Sequence, residues 1–236
     1  TVSLIAHVDH GKTDRISSLK VLSEGLSVAG DISLSPDGSI QKAVVDELRV
    51  GGITNVRAEI ENKPGVGYVA TVKGPQFDAS SFFKERKDQP PRSFSKQAGT
   101  PFSLSMDVER LVTGKERFLD KVKLFVRKDA WERTDQLEMD GVAGGKTVYL
   151  RYLPVAKGHS LRFEAGNAGA TLQALGISSG VQGGTLLVDG RPNPKGGKRD
   201  LIGTVGLSDF RLTKAPALAK LINALSLPGF QELFSN

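Results

Sequence analysis

The sequence predicts a mainly β protein: a long curled antiparallel β-meander, shaped as a groove or taco-like sheet, with a few short helices and a helical C-terminus. Three observations predict it. Apolar residues recur with period two through most of the 236 residues, the spacing of strands with one buried face. Turn-forming residues punctuate those runs at hairpin spacing. A helical period appears only in short stretches and at the end.

The elements follow in order. "AHVDHGKTDRI" at the start reads as a strand, a turn at Gly11 and a second strand. "LSVAGDISL" places Leu26, Val28, Gly30, Ile32 and Leu34 on one face, and "SPDG" turns the chain. "TNVRAEI" alternates through Val56 and Ile60, "NKPG" turns again, and "VGYVATVKG" returns. "DASSFFKER" predicts one short helix capped by Asp78 or Ser80. The polar segment "KDQPPRSFSKQAGTP" is rich in Pro and Ser and reads as a linker.

Alternation resumes in "PFSLSMDVE", with Phe102, Leu104, Met106 and Val108 against Ser103, Ser105, Asp107 and Glu109. "FLDKVKLFVR", "LEMDGVAGGKTVYLRYL" and "HSLRFEA", the last carrying Leu161 and Phe163, are further strands. "NAGATLQALG" is a short helix with Asn167 as N-cap and Gly176 as its stop. "GGTLLVDGR" and "RDLIGTVGLSDFRLT" pair around "PNPKGGK". In "APALAKLINALSLPGFQELFSN", Pro216 suits a first helical position, Leu218, Leu221, Ile222 and Leu225 form a stripe, and Pro228 starts a second helix. The domain expectation is a first β module over 1–88 ending in a short helix, a linker over 89–101, and a second β module over 102–236 with terminal helices. The helices are too few to cover so many one-sided strands. Either the sheet folds on itself as a sandwich, or it curls into a trough filled by something apolar.

Composition narrows the chemistry. Cysteine is absent, which excludes disulfides and thiol catalysis. The net charge of +6 suits either an anionic partner or a plain basic surface. No aromatic-basic patch marks a single-strand binder, so nucleic acid is not expected as a partner. No run of about 18 apolar residues marks a membrane-spanning helix. The chain begins on Thr1 rather than Met and is read as a piece of a longer protein.

The opening also fits a phosphate-binding loop. Ala6 to Thr13 match A/G-x-x-x-x-G-K-S/T, with Gly11, Lys12 and Thr13 as nucleotide-binding candidates. Such a loop needs a helix behind it. It also needs a magnesium-binding "DTPGH" stretch, which does not occur, and a base-reading "NKxD", where this chain has "NKPG" at 62–65. A GTPase fragment therefore stands as the enzymatic alternative, with Lys12 expected on a strand or turn facing solvent. His7, Asp9 and His10 have partial metal-ligand spacing, but His159 is the one remaining histidine and nothing completes the set. No nucleophile elbow appears, and no cofactor is expected.

The second half carries a resemblance. "LRFEAGNAGATLQALGISSGVQGGTLLVDG" followed by "GTVGLSDFRLTKAPALAKLINALSLPGFQELFSN" resembles the C-terminal region of AsmA-like proteins. Ala168 to Gly176, Gly183–Gly184, Asp209–Leu212, Ala215–Leu225 and Ser226–Leu233 carry the match over roughly the last third. The meander from Leu26 to Phe83 resembles the unit preceding it in that family. The resemblance implies a non-enzymatic segment on the periplasmic side of the Gram-negative inner membrane. It implies a hydrophobic β-groove that binds phospholipid acyl chains and supports their transport toward the outer membrane. On that reading Leu26, Val28, Ile32, Leu34, Val56, Ile60, Phe102, Leu104, Met106, Val108, Leu161 and Phe163 line the groove. The membrane anchor would lie in other parts of the parent protein.

Overall fold

A computed structural model describes residues 2–9, 14–83, 98–197 and 199–213. Thirteen strands occupy them: β1 (Ser3–Asp9), β2 (Asp14–Ser23), β3 (Leu26–Leu34), β4 (Ile40–Val50), β5 (Thr54–Lys63), β6 (Gly67–Asp78), β7 (Phe102–Gly114), β8 (Arg117–Lys128), β9 (Thr134–Ala143), β10 (Lys146–Val155), β11 (Gly158–Ala165), β12 (Val181–Pro192) and β13 (Leu201–Leu212). They form one sheet in chain order. Among the described residues its ends, β1 and β13, each pair with one neighbour only, and the sheet is not closed into a barrel. The expected curled meander is what the chain forms.

Short turns account for most of the order. Between β9 and β10, Gly144 and Gly145 both take positive φ (55° and 75°), the conformation of a two-residue hairpin turn matched to strand twist. One pair departs from the expected antiparallel pattern: β6 and β7 run parallel, with Ala70 opposite Leu104 and Val72 opposite Met106. Parallel neighbours need a long crossover, and residues 79–101 supply the length. The sheet continues directly from β6 to β7 across that segment.

Among the described residues, the two expected helices fare differently. "DASSFFKER" yields only a 3-10 turn at Ser80–Phe82, and residues 84–86 lie outside the described ones. Ser80 N–H donates to Asp78 Oδ1 at 2.8 Å, but Asp78 ends β6 rather than capping a helix. Ala79 is buried, and Phe77 and Phe83 pack on the core, so tertiary packing holds this stretch. The helix α1 (Ala168–Ala174) forms as expected, with Asn167 Oδ1 accepting from Ala170 N–H at 3.0 Å. Gly176 (φ 75°) follows its C-terminus. The expected terminal helices (215–236) and Gly11, Lys12, Thr13 and His10 lie outside the described residues.

A transverse line of bulges creases the first six strands. Register shifts fall at Ile5/His7, Ile16/Leu19, Ala29/Gly30, Val45/Leu48, Asn55/Arg57 and Asp120/Lys123. Through β1–β6 each sits opposite or next to the shift in the neighbouring pair, as the partners Gly30–Val45 and Val45–Ala58 show; the β6–β7 and β7–β8 ladders cross the line in register through Lys73, Asp107 and Lys123, and β8–β9 takes it up again. A bulge bends its strand and increases its twist; bulges in line fold the sheet. Gly30 and Gly74 lie on the line, where a Cβ would come within 2.1 Å of Val44 O and 2.5 Å of Asn55 O.

Candidate functional site

Residues paired across strands share a face, so the register traces each face across the sheet. One rung runs Val8, Ile16, Ile32, Ala43, Ile60, Ala70, Leu104, Val126, Leu137, Tyr152, Leu161, Gly190, Gly203. It crosses all thirteen strands without a charge. The adjacent rung runs from Leu19 and Gly30 through Val72, Met106, Leu124 and Leu150 to Phe163, Val188 and Val205, again uncharged. The opposite face carries charge. Arg57, Lys73, Asp107, Lys123 and Asp140 lie side by side on it, and all but Arg57 line a shallow recess of about 350 Å³. Farther along, Arg151 bonds Glu138 and Asp140 (3.1 and 2.8 Å), and Arg162 bonds Glu164 and Asp189 (2.6 and 2.9 Å).

The apolar face divides into an open and a sealed part. On β3, Leu26, Val28, Ile32 and Leu34 are partly buried. Ile60, Phe102 and Leu104 are partly buried too. Of these seven expected groove residues, Leu104 packs against the edge of the core, and the other six face space that protein atoms only partly fill. Val56, Met106, Val108, Leu161 and Phe163 are buried at 1–6% exposure, inside a continuous core that fills the second half and reaches back to β5. All twelve lie on the one apolar face, since Val28 pairs Leu48 and Leu48 pairs Val56, Leu34 pairs Ile40, and Val108 pairs Val122. The alternation did not reveal their neighbours Ala43, Val45 and Leu48 on β4. There the shift between Val45 and Leu48 breaks the period of two.

Two contacts roll the second half shut. At one end, α1 packs on β8, β9, β12 and β13, and Thr113 Oγ1 donates to Ala174 O. At the other, the loop after β12 reaches the turn after β8: Arg199 donates to Thr134 O (3.2 Å) and lies 3.4 Å from Asp129 Oδ2. Beside this contact His159 is buried, its ring stacked on Tyr152 at 4.6 Å and its Nε2 3.1 Å from Asp135 O. Burial pushes the His159 pKa down, against the pull of Asp135, and raises that of Tyr152. Burial also acts to raise Asp129 and Asp135, yet the hydrogen bonds and charges of Arg133 and Arg127 hold both below the usual carboxylate range.

Among the described residues no group of three or more His, Asp or Glu is placed to hold a metal. His7 and Asp9 sit on the exposed edge strand β1. Directly after Thr13 the chain forms strand β2, where a phosphate-binding loop requires a helix. What the arrangement offers is apolar surface, partly open over β2–β7, backed by a charged outer face. No family model, curated protein or solved structure matches the chain.

Proposed function

We propose that this chain is a non-enzymatic lipid-binding segment whose open apolar face holds the acyl chains of phospholipids. The observation that carries the reading is the uncharged rung across thirteen strands, partly open from β2 to β7. Each methylene transferred onto such a surface gains about 0.8 kcal/mol, so a few contacts hold a chain without a specific polar site. The same lack of polar anchors lets the chain slide from rung to rung. The AsmA-like motifs support placing the segment on the periplasmic side of a Gram-negative inner membrane, within a longer protein that moves phospholipid toward the outer membrane. The strand after Thr13 argues against the alternative of a GTPase fragment.

A photo-crosslinking residue at Val28 or Leu104 in cells is expected to capture phospholipid, and one at Phe163 is not. Protein-only crosslinks from Val28 and Leu104 would sink the groove reading. They would favour a second one, a structural or assembly module, for which the continuous buried core speaks.

A further inference from the structure

The contact that rolls the second half shut opposite α1 has a buried titratable group at its centre. Arg199, on the loop after β12, reaches Thr134 O and Asp129 on the turn after β8. Asp129 is also held by Arg133 (2.9 Å from Nε, 2.8 Å from Nη2) and accepts the backbone N–H groups of Trp131 and Arg133. Next to Thr134, Asp135 meets His159, with Nε2 3.1 Å from its carbonyl oxygen and 3.4 Å from Oδ1. His159 is 4% exposed, and its Nδ1 is buried with no hydrogen-bond partner.

We propose that this cluster is a proton-operated latch: protonation of His159 releases the β12–β13 loop from the β8–β9 turn and opens the rolled half of the sheet at that end.

The charges decide which side yields. Facing His159 are Asp135 from β9, Tyr152 from β10 and Arg199 from the loop; Arg127 from β8 stands behind Asp135, and Asp129 and Arg133 hold the turn. A neutral ring satisfies Nε2 by donating to Asp135 O and leaves Nδ1 bare. A second proton puts a donor and a full charge on Nδ1, where no acceptor exists. It also sets two cations, the imidazolium and Arg199, against each other. Asp135 offers limited compensation, because Arg127 already donates twice to its Oδ2 (3.1 and 2.7 Å). The strands beneath are tied by continuous backbone ladders. The loop is the part that can withdraw, taking Arg199 away and admitting water to Nδ1. Burial, the largest influence, and Arg199 both disfavour the charged ring. Opening is therefore expected below the usual histidine pKa of about 6.5.

Trp131 is the single tryptophan of the chain and lies in the β8–β9 turn, so its emission reports the latch. The full chain is titrated from about pH 8 to about pH 5, a range in which histidine is the side chain whose ordinary pKa falls, with far-UV circular dichroism recorded alongside. Wild type should show a reversible emission change at constant dichroism. His159→Gln should abolish the change, and Arg199→Gln should give the acid-state emission already at about pH 8. A flat wild-type titration, or an unchanged transition in His159→Gln, overturns the latch. Should His159→Gln fail to fold, hydrogen exchange of wild type at both pH values, corrected for intrinsic rates, decides. Acid-enhanced exchange confined to residues 129–134 and 193–200 supports the proposal; uniform or unchanged exchange refutes it.

Discussion

A Cβ on Gly203 would lie 1.8 Å from Asp189 O, and its cross-strand partner is another glycine, Gly190. The last two strands approach too closely there for any side chain. Gly203→Ala is expected to destabilise the fold by about 1–3 kcal/mol, the usual result of forcing a methyl into filled space, read from urea unfolding midpoints. Phe163 and Val28 separate the two parts of the apolar face. Phe163 is 1% exposed and surrounded by core, so Phe163→Ala should cost about 3–5 kcal/mol in the same measurement. Val28 is only partly buried, so Val28→Ala should cost about 1 kcal/mol or less, since the loss scales with the apolar area removed from contact. Similar costs at the two positions would mean that the β3 face is sealed in solution. Both residues were legible as inward-facing, because alternation reports which side of a strand is apolar. How much protein lies above each depends on curvature, which alternation does not encode.

Among the elements, α1 acts as the plug of the rolled half, and its ends were readable because capping is local chemistry. Asn167→Ala removes the bond to Ala170 N–H and should cost about 1 kcal/mol. Thr113→Val removes the hydroxyl that reaches Ala174 O from β7; losing such a bond costs about 0.5–1.5 kcal/mol, or more if the carbonyl stays buried and unpaired. Thermal melts of the two single variants and the double variant give the coupling between plug and strand. Near-additive losses would show that the two contacts hold α1 independently. The stretch after Phe77 was misread for the opposite reason. Its local signals suit a helix, but Ala79, Phe77 and Phe83 are drawn into the core and leave only one 3-10 turn. Strand β4 was hidden by its own bulge, since an extra residue between Val45 and Leu48 cancels the period that identifies a strand.

For the whole molecule, stability should fall on the acid side in two stages. His159 has its charged form disfavoured in the fold, so the unfolded chain takes up this proton first, below about pH 6.5. Stability then declines as pH drops from that value until the folded histidine also protonates. Asp129 and Asp135 have lowered folded pKa values. Their contribution is complete above the unfolded carboxylate value of about 3.9 and is lost as pH falls through the folded values. Urea midpoints measured against pH should show both declines, and His159→Gln should remove only the upper one. Constant midpoints between about pH 7 and about pH 5 would contradict the stated direction of the histidine shift. By itself, the sequence determined that this chain is a mainly β meander with one apolar face and that Asn167 opens a helix. Those properties rest on nearest-neighbour chemistry: alternation, turn residues and caps. Only the tertiary structure decided that bulges line up into a crease and that β6 and β7 run parallel. It also decided that the apolar face is sealed beneath α1 and the Arg199 contact yet partly open over β3. These depend on register and on contacts between strands distant along the chain, and no local pattern carries that information.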